Sequence, residues 1–517
     1  MAKSLFTPGS TPEFLLRVRM QACVMVIVVL LIWMPDNALG QRRVEWIRSD
    51  FVEYDQQTYG RVRRAIGNVE FRHMGTYLFC DSAYFYEETN KVEAYSNVHI
   101  QDSDTLNLYC DFLEYIPGTR LATARRNVVL VDPQVSLTTE ELYYDLEKNL
   151  AYYEHDATIV SETNTLKSRK GSYASDNKLF VFEKDVELEH PNFTLYTDTL
   201  HYWSNTEVAN LYGPTLIRSD ENLIYAERGI YDTQKDFSVF WQNAWLQNKE
   251  SRLAGDSLEY DRNTSFARAF DNVSITDTVN HYVFGGHFGE YDEVSGYSFM
   301  TDSAWAVFID AGDSLTMRAD TLYLTFDSLQ NGKVFNGYYH VRFFRSDLQG
   351  VCDSLVYLFA DSTITMYAEP VIWFERTQVV ADTIMLLFQN RRLSKMEMIN
   401  NTFIISDDKG NQYNQIKGKA ITAWFDEHEL RVMHVHGNTE TLYYVRDDGD
   451  ELIGIDKAIS DRLRIEFSEG EVQNIIYFTK VKGTTYPEQD LSAGERELKG
   501  FLLRSEERPA SREDLSR

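Results

Sequence analysis

The chain has 517 residues and a mass of 60.1 kDa, with 51 Lys and Arg against 79 Asp and Glu, a formal charge of −28. So acidic a protein is ill suited to the phosphate backbone, so nucleic-acid binding is excluded early. Aromatic residues make up 14%, with 32 Tyr and 30 Phe, which excludes general disorder and leans toward pleated, half-buried surfaces; 27 Gly and 10 Pro exclude collagen-like and low-complexity classes.

Residues 1–40 read as an export signal. Arg17 and Arg19 precede an apolar run from Ala22 to Met34, 13 residues long. That is too short to span a bilayer, which takes about 20 residues as a helix, and suits the core of a cleaved signal. Ala38 and Gly40 supply small residues before a cleavage at Gly40–Gln41. The expected location is the periplasm. An uncleaved anchor is the other reading of the same segment. The segment carries +3 and −2, leaving the mature chain near −29.

From about residue 60 onward a repeat sets the frame. Gly255-Asp256-Ser257-Leu258-Glu259-Tyr260 recurs as Thr197-Asp198-Thr199-Leu200-His201-Tyr202 and as Cys110-Asp111-Phe112-Leu113-Glu114-Tyr115, and again as Cys352-Asp353-Ser354-Leu355-Val356-Tyr357. Looser copies end at Phe85, Tyr144, Tyr173, Tyr231, Tyr291, Leu324, Leu386 and Ala423. Tyr115, Tyr144, Tyr173, Tyr202, Tyr231 and Tyr260 are each 29 residues apart. Later steps lengthen to 31, 33, 33, 29 and 37, which suggests loop insertions.

Twelve residues after each aromatic stands Asn97, Asn127, Asp156, Asp185, Pro214, Asn243 or Asn272, residues that tolerate or impose a bend. An apolar-x-apolar pair follows. The side-chain period within a unit is two: Leu258 and Tyr260 face one way, Ser257 and Glu259 the other. Each unit therefore predicts two strands and two polar turns, bent once at the Asn column. No helical stripe is evident before residue 484.

The fold class expected is all-β: an elongated, bent antiparallel β-jellyroll (a taco-shaped sheet) of ~29-residue repeats. One such unit cannot bury its apolar face alone, whereas stacked units can. A parallel β-helix is the rival with similar periodicity. The expected organisation is 1–40 signal, 41–300 repeats, 301–483 further repeats with insertions, and 484–517 a charged, flexible tail with Phe501-Leu502-Leu503 its apolar cluster.

Cys80, Cys110 and Cys352 share the position just before the Asp, where other units place small residues. A small-residue site and a Cys80–Cys110 bridge are the two readings. The Asp column (Asp81, Asp111, Asp198, Asp256, Asp320, Asp353 and Asp382) reads as turn-stabilising or solvated carboxylates rather than a ladder of metal ligands. His434 and His436 share a strand face but lack an evident third ligand for zinc.

The unit Gly/Ala-Asp-x-Leu-x-Tyr, Ala-x-Ala, Asn-Val-x-Ile, best seen from Leu253 to Ile275, resembles the repeat of the OstA-like superfamily, over roughly residues 60–425. That superfamily includes the lipopolysaccharide transport proteins LptA and LptC and the N-terminal domain of LptD. The resemblance implies a jellyroll that shields lipid A acyl chains, with other jellyrolls of the transport machinery as end-to-end partners. The chain departs from it in being far longer than a single LptA-type domain, with too few residues after 480 for the outer-membrane barrel of LptD.

The slot-lining residues that the alternation selects are Val98, Ile100, Val128, Leu130, Ile159, Val186, Leu188, Ile217, Leu246, Val273 and Ile275. The bland alternative is that they form a sealed core. Phosphate loops, H-E-x-x-H and G-x-S-x-G are all missing from the sequence. The expectation is a non-enzymatic lipopolysaccharide carrier with no cofactor and no metal. A polysaccharide-cleaving β-helix and an adhesive surface repeat protein are the alternatives.

Overall fold

The computed structural model describes residues 44–516, apart from short stretches at 55–60, 74–75, 103–105, 117, 133–134, 162, 221, 250, 262, 279–280, 293, 310–312, 328–331, 390–391, 427–428, 448 and 469–470. The expected export signal and its cleavage point lie outside the described residues. The structure is built of antiparallel strands, with no α-helix among the described residues. It forms two compact units. One holds 44–249 and 254–267; the other holds 251–253 and 268–516.

In the N-terminal unit the repeat is two strands and two turns. Lys91–Asp102 pairs with Leu106–Ile116, which pairs with Leu121–Asp132, which pairs with Val135–Asp145. Every second strand bends in its middle. Tyr95 faces Phe112 and Val98 faces Cys110, so Ser96 and Asn97 together oppose only Asp111. Two residues against one is a β-bulge. Ser96 and Asn97 both lie in the left-handed region, at φ 61 and 52. So do Arg126 and Asn127, Lys184 and Asp185, Gln242 and Asn243, and Asp271 and Asn272. The predicted corner column is this row of bulges. Gly213 takes the left-handed place before Pro214, and at Asp156 the arm is split into separate strands, Leu150–Tyr153 and Ala157–Ser161.

The Asp column explains why the bend holds. Asn97 donates to Asp81 at 2.8 Å, Asn127 to Asp111 at 2.7 Å, and Asn401 to Asp382 at 3.0 Å. His340 meets Asp320 at 2.9 Å. Asn68 with Asp50 and Asn243 with Glu227 make the same bond from positions the sequence pattern did not select. Among the described residues no group of three or more His, Cys, Asp or Glu could hold a metal ion. These carboxylates tie their corners to the strand before them.

Asn127→Ala loses this bond and leaves a Cβ-bearing residue in the left-handed region. It should cost the N-terminal unit about 1–2 kcal/mol. Asn127→Gly should cost clearly less, because glycine removes the backbone penalty and only the bond is lost. Urea midpoints of the two variants decide this; equal losses would show that the corner conformation carries no strain.

A second left-handed column marks the outer turns: Asn90, Arg120, Asn149, Lys178, Glu207, Asp236 and Ser265. Several of these turns are closed by an aspartate accepting backbone N–H groups, as Asp232 does from Gln234 and Lys235 at 3.1 and 3.0 Å.

The C-terminal unit keeps the frame with longer arms. Arg392–Lys409 and Glu429–Arg446 each run 18 residues. The longest repeat step is therefore an extension of the arms themselves, not a loop insertion. In the earlier steps of 33 one strand ends at Phe308 and the next begins at Leu315, and one ends at Phe326 and the next begins at Gly332.

The end of the chain differs from a free tail. The strand Lys482–Tyr486 pairs with Leu452–Ser468. From Pro487 the chain forms short 3-10 turns and runs back across the strands as a strap. It touches Gln415, then Gln378, then Gln349, then Asp313. Leu491 and Leu498 are buried against Phe403, Ile405, Leu442, Tyr444 and Ile455, with Phe501 packed at their edge. These sheet residues alternate with the inward-facing ones, so the strap builds a second small core on the outside of the sheet. Isolated leucines in a charged segment have no period to read, and for that reason the strap is silent in the sequence.

Candidate functional site

Each bent strand has two arms on either side of its corner, and the apolar residues of both arms turn to the inside. The expected lining residues come from the arm after the corner. Val98, Val128, Leu130, Ile159, Val186, Leu188, Ile217 and Val273 are buried, whereas Ile100, Leu246 and Ile275 are half-buried. They occupy one face because Asn at the corner is followed by strict alternation. Glu187, between Val186 and Leu188, points outward and reaches Lys167 at 3.4 Å, and Glu189 reaches the same amine at 2.9 Å.

The opposite wall comes from the arm before the corner. It is formed by Ala94, Ala124, Tyr153, Phe180 and Phe182, with Tyr173 and Tyr202 from the alternate strands. Tyr173 stacks on Phe180 with ring centroids 4.3 Å apart. The site selection from sequence missed this wall, although the aromatic column that revealed the repeat was its signal.

The two walls meet. Ile159, Leu166 and Leu188 of one arm and Phe180, Phe182 and Tyr202 of the other surround a cavity of about 10 Å³, together with Asn164. That is room for about one water. The Asn164 side-chain oxygen is buried there without a hydrogen-bond partner. The inner faces are thus closed on each other in this state. What holds them closed is side-chain contact, including the bond between the Tyr153 and Ser168 hydroxyls at 2.6 Å, since the ladder hydrogen bonds run between successive strands along the stack. Parting the arms breaks no ladder bond.

Cys80, Cys110 and Cys352 are free and buried, the first two in the N-terminal unit and the third in the C-terminal one. Cys80 and Cys110 stand on strands Thr76–Tyr86 and Leu106–Ile116, with Lys91–Asp102 between them. Two strand spacings amount to about 9.6 Å, beyond the ~7 Å Cα reach of a disulfide, so the bridged reading fails. Burial pushes the Cys80 and Cys352 thiols up to about 12 and that of Cys110 to about 11. The shared position is a small-residue site. His434 and His436 lie on the outside of Glu429–Arg446 with ring centroids 6.1 Å apart, and Trp424 packs on His434 at 4.7 Å.

Among the described residues the first strands of the N-terminal unit form an edge. Glu45–Arg48 and Phe51–Tyr54 both pair with Val62–His73. Ile47, Phe51, Val52 and Tyr54 are exposed there. Among the described residues no helix is long and apolar enough to cross a membrane, which says nothing of strands.

Comparison with known proteins follows the repeat. The family model described as OstA-like protein matches residues 41–198 and 184–256. No curated protein matches the chain. Among solved structures it is similar to LptH, the LptA-homologous periplasmic component of the lipopolysaccharide transport device of Pseudomonas aeruginosa. The identity is 17%, over 26% of this chain and 79% of that one, with a TM-score of 0.14. Over residues 41–256 the repeats are thus similar to those of the OstA-like family.

Proposed function

We propose that the chain is a non-enzymatic carrier of lipopolysaccharide in the periplasm, which shields lipid A acyl chains between the two arms of its bent sheet. The observation that carries this reading is a pair of apolar inner walls held together by side-chain contacts only. An acyl chain sliding between them exchanges one apolar contact for another, while each methylene leaving water gains about 0.8 kcal/mol. The corner bulges act as the hinge of that opening. Val98, Ile100, Val128, Leu130, Ile159, Val186, Leu188, Ile217, Leu246, Val273 and Ile275 form one wall for the acyl chain. Asn164 offers an unpaired acceptor to an amide or hydroxyl near the head of the lipid. The acidic outer face repels anionic head groups from the rest of the surface. The export signal read at residues 1–40 agrees with such a compartment. The exposed edge at 45–54 suits pairing with the end strand of another jellyroll of the transport machinery, which would cover Phe51 and Val52.

The test places a benzophenone amino acid at Phe182, inside, and in a second chain at Tyr196, on the outer surface. Both replacements keep an aromatic ring and add a benzoyl group, so circular dichroism checks that each chain is folded. With lipopolysaccharide micelles, the Phe182 chain should form an adduct that saturates, and the Tyr196 chain should give only a trace. A folded Phe182 chain that forms no adduct rejects the carrier reading.

A further inference from the structure

The strap is held in a way that does not depend on its covalent connection. The Gln415 side chain donates to the carbonyl of Arg496 at 2.8 Å and accepts the N–H of Leu498 at 2.8 Å. Gln378 donates to the carbonyl of Leu502 at 2.9 Å and accepts the N–H of Arg504 at 2.8 Å. In both cases one amide brackets a single residue, Glu497 or Leu503, bonding the carbonyl before it and the N–H after it. A neighbouring β-strand would make the same pair of bonds. Both glutamines stand four residues before the corner-facing position, at Asp382 and Lys419, and Gln349 stands four before Asp353. The Gln349 side-chain oxygen accepts from the Arg508 guanidinium at 2.8 Å. All three glutamines point outward yet are buried, because the strap covers them. The outer face of this arm is therefore a groove that reads an extended backbone.

The two halves of the strap are not held alike. The first half buries Leu491 and Leu498 and sets Phe501 against Tyr413, ring centroids 5.7 Å apart. The second half exposes Leu502 and Leu503, buries Leu515, and is held mainly by polar bonds, ending with Arg512 on Asp313 at 3.1 Å. Between the halves sits Gly500 at φ 98, with nothing within 4 Å of where a Cβ would stand. A glycine in open space is free to redirect the chain.

We propose that residues 502–516 exchange between two copies of this protein, so that the arm of one lies in the Gln378–Gln349 groove of the other and the reverse. The occupant fits by construction, since it is the same segment in the same groove. Reciprocal exchange closes as a two-fold dimer, a low-cost route to self-association. Within one chain the tether gives the arm a high effective concentration, so exchange grows with protein concentration.

The experiment uses full-length mature chains carrying Asp313→Cys, Arg512→Cys, or both, with a short bis-maleimide. The native thiols stay silent near neutral pH, being buried with raised pKa values. The double variant should link within one chain at any concentration. An equal mixture of the two single variants should give a linked heterodimer whose yield rises with concentration. Adding Gln378→Ala to the Asp313→Cys chain should lower that yield about tenfold. A double variant that links fully, alongside mixtures that yield no heterodimer at the highest soluble concentration, overturns the proposal. A double variant that does not link overturns it as well.

Discussion

Val186→Asp should destabilise the N-terminal unit by about 3–5 kcal/mol, whereas Glu187→Ala, one residue further on, should cost under about 1 kcal/mol. Val186 is 1% exposed and sits on the inner wall immediately after a corner. The substitution forfeits the burial of a valine, about 1.5–3 kcal/mol, and forces a carboxylate into an apolar contact. Glu187 points outward, and its contact with Lys167 is a surface pair of small net worth. A domain of ordinary stability has about 5–15 kcal/mol in total, so the first change removes a large share of it and the second very little. The readout is the urea midpoint of each variant, followed by circular dichroism. Similar shifts for both would mean that the strand does not alternate between a closed inside and a wet outside. On the carrier reading, Val186→Asp should also abolish the lipid adduct at Phe182 in whatever fraction stays folded, because a charge on one wall repels an acyl chain.

Gln415→Ala should free the first half of the strap while leaving the sheet intact. The substitution leaves the Arg496 carbonyl and the Leu498 N–H without their side-chain partner in a buried place, which costs about 1–3 kcal/mol. The opening equilibrium of the strap then rises roughly 5- to 150-fold. Amide hydrogen exchange of residues 488–503 should accelerate by that factor, with the strands at 412–426 and 429–446 unchanged. Gln415→Glu should fall between, since a carboxylate still accepts from Leu498 but no longer donates to Arg496. Unchanged exchange in Gln415→Ala would mean that the leucines alone anchor the strap.

The strap and the repeat show where sequence reasoning stops. The corners were legible because their causes are local. The second left-handed residue of a corner is usually Asn or Asp, which tolerate that conformation at little cost, and the alternation that follows assigns the later side chains to a face. The apolar residues that follow each corner therefore share one face of the strand. In the Asp column, Asp81 and Asp111 each bond an Asn 16 residues on, Asp382 an Asn 19 residues on, and Asp320 a His 20 residues on. The lengthened step near Leu386 was misassigned to a loop, because spacing counts residues and cannot say whether they extend an arm or interrupt it.

What the sequence determined by itself is the period, the all-β class, the bend and the face on which each strand residue lies. All of these follow from backbone preferences repeated every 29 residues. Only the tertiary structure decided that Cys80 and Cys110 have a strand between them, that aromatic residues supply the second wall, and that the two walls close to a cavity of about 10 Å³. It alone placed Gln349, Gln378 and Gln415 beneath residues 488–516. These features join residues up to about 160 positions apart, as Gln349 and Arg508 are. Contacts at that range arise from packing and leave no period in the chain for a reader to find.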